Sequence, residues 1–120
     1  MDKGVIINNI ISELEEQGVE KIYSSIPGCI QPYAIGMKNS EKGFYPDVIS
    51  ERKNQVDIYS IETNIDKQVK KKDAERWRLY RIFAKANNGN LFIARTPHSI
   101  SVIKKSLDKI PGNLKFIHLV

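Results

Sequence analysis

The run from Gln55 to Thr63 constrains this chain most, because its alternation leaves neither side wholly polar. Side chains alternate between the two faces of a strand, which puts Val56, Ile58, Ser60 and Glu62 on one side and Asp57, Tyr59, Ile61 and Thr63 on the other. A strand with apolar groups on both faces belongs in the middle of a sheet that is covered above and below. The run before it, Tyr45 to Glu51, is separated from it by Arg52-Lys53-Asn54, a polar linker of hairpin length. The two therefore read as an antiparallel pair.

Around this pair the pattern changes period. Residues 4 to 17 carry Ile6, Ile10 and Leu14 at helical spacing, and Gly18 follows as a stop. Lys21 to Ile26 reads as a strand ended by Pro27-Gly28, and a second β-prone run covers Ile30 to Met37. Residues 67 to 87 form the clearest helix: Val69, Trp77, Tyr80, Phe83 and Ala84 gather on one side, with Lys67, Lys71, Arg78, Arg81 and Lys85 opposite. Asn88-Gly89-Asn90 stops it. Leu91 to Ala94 is a short buried-type strand ended near Pro97, Ser99 to Lys109 a helix ended by Pro111-Gly112, and Leu114 to Val120 a last strand. Counting the hairpin and the strand before it, the order α-β-β-β-α-β-α-β predicts an α/β fold. A meander followed by two right-handed crossovers makes a mixed sheet with helices on its faces.

At 120 residues and 41% hydrophobic content, the chain is expected to form one domain, residues 1 to 120, with a real core. The single cysteine, Cys29, excludes an intramolecular disulfide and a thiolate zinc cluster, and fits a reducing, cytoplasmic location. No apolar run approaches the length of a membrane helix, and the N-terminal residues lack the layout of a signal peptide, so neither membrane insertion nor secretion is expected. The net charge of +5 points modestly towards a polyanionic partner.

Chemistry concentrates at Tyr45-Pro46-Asp47-Val48-Ile49 and Tyr59-Ser60-Ile61-Glu62-Thr63-Asn64. An acid on each of two paired strands, Asp47 and Glu62, can supply converging hard oxygen ligands to a magnesium ion. The competing reading has Asp47 following a turn proline and Glu62 solvating a strand end. The basic face of the 67 to 87 helix, Lys67, Lys71, Arg78, Arg81 and Lys85, suits a phosphate backbone, or is simply its solvated face. Trp77 and Tyr80 fall on the apolar side and read as core anchors. The polar stretch from Gly36 to Gly43 is a substrate loop or a passive connection. The glycines are scattered singly, so there is no phosphate-cradling loop, and His98, His118 and Cys29 have no sequence-adjacent partners for metal or nucleophilic chemistry.

Over residues 5 to 96 the chain resembles the PD-(D/E)XK nuclease superfamily, the restriction endonuclease-like fold, whose core is a helix, a three-stranded meander, a helix and a further strand. Pro46-Asp47, Glu62-Thr63-Asn64 and Trp77 in the following helix carry the resemblance. It implies Mg²⁺- or Mn²⁺-dependent hydrolysis of a DNA phosphodiester, with Asp47 and Glu62 as metal ligands. The motif lysine expected two residues after the acid is replaced by Asn64, so the resemblance looks to Lys67 or Lys70 for a cation and to Gln68 for orienting water. Some members add a glutamate from the first helix, here Glu13 or, less favourably placed, Glu16. A domain this small would meet branched or duplex DNA as a homodimer or in a larger assembly. The alternative is a catalytically inactive module of the same fold that binds nucleic acid or a protein partner.

Overall fold

A computed structural model describes residues 2–36, 43–63, 70–95 and 100–119. Helix α1 spans Lys3–Glu16, opened by Asp2, whose carboxylate accepts from the Gly4 amide at 2.8 Å. It closes at Gly18, whose φ of 75° allows Val19 N–H to donate back to the Leu14 carbonyl. Strand β1 (Lys21–Ser24) is followed by a two-residue ladder, β2 (Ile35–Gly36) with β3 (Gly43–Phe44), and then by β4 (Val48–Arg52) and β5 (Gln55–Ile61). Helix α2 (Lys71–Ala86), β6 (Asn90–Arg95), the short α3 (Ile100–Ser106) and β7 (Asn113–His118) complete the chain.

The five longer strands form one mixed sheet in the order β1-β4-β5-β6-β7. The first two pairings are antiparallel and the last two parallel. The β4–β5 hairpin turns tightly because Asn54 adopts the left-handed conformation, φ 64°, which Asn tolerates well, and Arg52 is drawn into the ladder opposite Gln55.

The alternation expected for β5 holds. On one face Ile58 joins Ile49, Leu91 and Ile93 against Trp77, Tyr80 and Ala84 of α2 and Ile103 of α3. On the other, Tyr59 and Ile61 join Val48 and Ala94 against Ile6, Ile7, Ile10 and Leu14 of α1. Each fully buried aliphatic side chain contributes about 1.5–3 kcal/mol of transfer free energy, so β5 is fixed from both sides.

Two expectations are corrected. The run Ile30 to Met37 is not a strand of the main sheet: Ile30 makes an isolated bridge to Tyr23, and Ile35–Gly36 pairs only with β3. The helix expected over 67 to 87 begins, among the described residues, at Lys71, because Lys70 has extended backbone angles and serves as its cap. No helix among the described residues is long and apolar enough to cross a membrane.

Candidate functional site

The β4–β5 pairing carries Asp47 and Glu62 to the same end of the sheet. Val48 lies opposite Tyr59, so Asp47, one step before the start of β4, falls beside the last residues of β5. There its carboxylate takes over from the backbone ladder: Oδ2 accepts from the Ile61 amide at 2.7 Å, and the Asp47 amide donates to the Tyr59 carbonyl. Ile61 directly precedes Glu62, so the first acid is fastened to the residue beside the second.

Glu62 is buried, and its Oε1 accepts from three donors: the Ser60 hydroxyl at 2.7 Å, the Trp77 indole Nε1–H at 2.8 Å and the Arg76 guanidinium at 2.6 Å. Arg76 also reaches Asp73 at 3.2 Å. Buried Arg95, the last residue of β6, donates to the Glu62 carbonyl at 2.9 Å, and the Glu62 amide donates to the Ala94 carbonyl. Lys3, in the first turn of α1, places Nζ 2.8 Å from Asp47 Oδ1. Two acids are thus surrounded by Lys3, Arg76 and Arg95, at the C-terminal ends of the parallel strands β5 and β6, where open α/β sheets commonly bind ligands.

Tyr80 is buried on α2, one helical turn after Arg76. Its phenol is pushed up by burial; nearby Arg76 pulls the other way, and Asp47 and Glu62 both push it further up. One buried ring therefore senses both acids and the arginine. Burial lowers the Arg95 guanidinium and Glu62 opposes that shift, as expected for a cation drawn into the protein beside a carboxylate.

Several sequence-predicted residues fall elsewhere. Glu13 does not join Asp47 and Glu62: it is exposed on the C-terminal half of α1 and lines a groove with Gln17, Arg52, Asp57, Tyr59 and Lys115 at the other end of β5. The helix runs the wrong way for it, and Lys3 is what its near end presents. Glu16 is likewise exposed near that far end. Among the described residues no third acid, histidine or cysteine completes a metal-ligating group.

Asn64, Lys67 and Gln68 lie outside the described residues, and Lys70 is exposed at the start of α2. Lys71, Arg78 and Lys85 are exposed along α2, whereas Arg81 leaves the expected basic row. Its guanidinium donates to the Gly112 carbonyl at 2.7 and 3.0 Å and to the Leu107 carbonyl at 2.8 Å, tying α2 to the segment between α3 and β7.

Lys3, Arg76 and Arg95 are not among the residues that sequence reasoning singles out. Arg76 does carry a signal: it stands four residues before buried Tyr80, a charged side chain at the spacing of the apolar stripe. Lys3 carries none, because a lysine at a helix start is ordinary surface until the fold brings Asp47 to it.

No protein-family model matches this chain, and neither a curated protein nor a solved structure matches it.

Proposed function

We propose that this chain is a nuclease-like domain of the restriction endonuclease-like arrangement, hydrolysing DNA phosphodiesters with Mg²⁺ or Mn²⁺ held by Asp47 and Glu62. The order α1, the β1-β4-β5 meander, α2 and β6 is the one the superfamily resemblance implies. The observation carrying the reading is that Asp47, just before β4, and Glu62, just after β5, stand at one end of the sheet, each with one carboxylate oxygen held by a donor of the protein itself.

The donor set fits a hard divalent cation. Carboxylates that ligate metals are held by outer hydrogen bonds, and here the Ile61 amide holds Asp47 Oδ2 while Trp77, Ser60 and Arg76 hold Glu62 Oε1. The remaining Asp47 oxygen meets Lys3, whose half-exposed side chain can swing into solvent, so a cation can take its place. A bound divalent ion would supply Lewis-acid polarisation of the phosphoryl group and a nucleophile at neutral pH. Lys3 and Arg76 would offset charge developing on the phosphoryl oxygens, the task the family assigns to the lysine replaced by Asn64. Lys71, Arg78 and Lys85 would hold the strand backbone. In this reading the protein works in the cytoplasm, and a homodimer or larger assembly would extend its reach over branched or duplex DNA.

One observation favours a second reading, a non-catalytic module that binds nucleic acid or a protein. Lys3 and Arg76 each pair with one acid, so the site is already charge-compensated. Calorimetric titration of Mn²⁺ into wild type, Asp47→Asn and Glu62→Gln separates the two. Mn²⁺ binding by wild type that disappears in both folded variants, together with cleavage of DNA, is the outcome expected of the nuclease. Absence of Mn²⁺ binding to wild type, with and without DNA, supports the module instead.

A further inference from the structure

Of the five tyrosines, four phenylalanines and one tryptophan, all within the described residues, only Tyr45 is exposed. Its exposure is 71%, while the others are buried or half-buried. It stands two residues before Asp47, within about 7 Å along the chain. Both of its neighbours are anchored. Phe44 is paired with Ile35 in the β2–β3 ladder, and Pro46 is fully buried. A residue preceding proline is also confined to extended backbone, so the ring is presented to solvent from a fixed stem. A tyrosine so held loses little entropy on making a contact, having only two side-chain torsions.

Cations reach the two acids from both helices, Lys3 from the start of α1 and Arg76 from α2. Lys3 pairs with Asp47, Arg76 pairs with Glu62, and exposed Lys72 precedes Arg76 by one helical turn. Lys72 is exposed, and Lys3 and Arg76 can exchange their carboxylate partners for a phosphate; an exposed ring on the segment that carries Asp47 can then bind a single strand, because every base offers a π-face. Within a duplex both faces of a base are taken by its neighbours.

Building on the nucleic-acid reading, we propose that the site takes an unpaired nucleotide, its base stacked on Tyr45 and its phosphate among Lys3, Lys72 and Arg76. The partner is therefore single-stranded nucleic acid, or the unpaired stretch of a branched one. Tyr45 selects unpaired over paired substrate, while the cations serve both.

The test is fluorescence anisotropy without divalent cations, using a labelled oligothymidylate and a blunt-ended duplex without a loop that carries the same number of phosphates. Wild type, Tyr45→Ala and Tyr45→Phe are compared, with thermal unfolding to confirm equal folding. Tyr45→Ala should weaken oligothymidylate binding about five- to a hundredfold. Tyr45→Phe should retain it, the duplex affinity should stay unchanged, and the salt slope should not move because every lysine and arginine is still in place. Wild-type binding that Tyr45→Ala leaves unchanged, or weakens equally for both DNAs, overturns the stacking role while leaving the nucleic-acid reading in place. Wild type that binds neither DNA, both without divalent cations and with Ca²⁺ added, overturns both. A Tyr45→Ala variant that turns a wild-type oligomer into a monomer at unchanged DNA affinity assigns the ring to a protein contact and overturns the proposal.

Discussion

Two arginines of α2, three residues apart, illustrate how position rather than residue type decides a role. Arg78 is exposed, and Arg81 is lodged against the Leu107 and Gly112 carbonyls, where burial lowers its guanidinium. Arg81→Ala should destabilise the fold by about 2 kcal/mol, since hydrogen bonds to a charged group are worth about 1.5–3 kcal/mol. Arg78→Ala should stay within about 0.5 kcal/mol. Urea denaturation of both variants checks the contrast. A second prediction concerns Tyr59, whose phenol burial and neighbouring Asp57 push up to about 12. Its unfolded value is near 10. A raised folded value means the contribution is fully present below pH 10 and is lost as pH rises through about 12. Denaturation midpoints should therefore fall across that window, and Tyr59→Phe should flatten the fall.

At the scale of elements, the junction between α2 and β6 shows why Asn88-Gly89-Asn90 ends the helix. Asn88 takes the left-handed conformation at φ 61°, and the Gly89 amide donates to the Ala84 carbonyl at 2.8 Å, closing the helix in a Schellman-type turn. Gly89 is required for a different reason: a Cβ there would stand 1.7 Å from the Val56 carbonyl oxygen of β5. The close approach is fixed by Asp57, whose buried carboxylate accepts from the Asn90 amide at 2.7 Å and from Gln55 at 3.0 Å. Gly89→Ala should cost about 3 kcal/mol or more, as overpacking against backbone has no side chain to yield. Gly18→Ala, at φ 75° with nothing within 4 Å, should cost about 1 kcal/mol from backbone strain alone. Thermal unfolding of the pair distinguishes a packing requirement from a conformational one.

Over the whole molecule, charge is divided between the two faces of the sheet. The α1 side carries Glu13, Glu15 and Glu16 with Lys3, whereas α2 carries Lys71, Lys72, Arg76, Arg78, Arg81 and Lys85 against Asp73 and Glu75. Helix α3, on the same face as α2, adds Lys104 and Lys105 and no acid. Among the helices, the positive excess therefore lies on the α2 and α3 layer, which is the face a polyanion would meet. On the proposed nucleic-acid reading, replacing Lys71, Arg78 and Lys85 by Gln should lower the slope of log affinity for DNA against log salt by about 1 for each phosphate no longer neutralised. Neutralising only Glu15 and Glu16 should leave that slope unchanged. Anisotropy measured across a salt series reads both.

What was legible in the sequence was what depends on periodicity. The two-faced pattern of Gln55 to Thr63 identified the central strand, the stripe of Ile6, Ile10 and Leu14 identified α1, and the spacing of Trp77, Tyr80 and Ala84 identified the buried side of α2. These follow from local backbone geometry, which repeats every two or 3.6 residues whatever lies far away in the chain. Asp47 and Glu62 could be paired from the hairpin alone, because register is fixed by a short turn. The tertiary structure alone decided what surrounds them: Lys3 arrives from α1, Arg76 from α2 and Arg95 from the end of β6. It also sent Glu13 to the opposite end and turned Arg81 inward. Those placements depend on how helices are docked against the sheet, and a charge carries no record of which distant partner docking will bring within hydrogen-bonding distance.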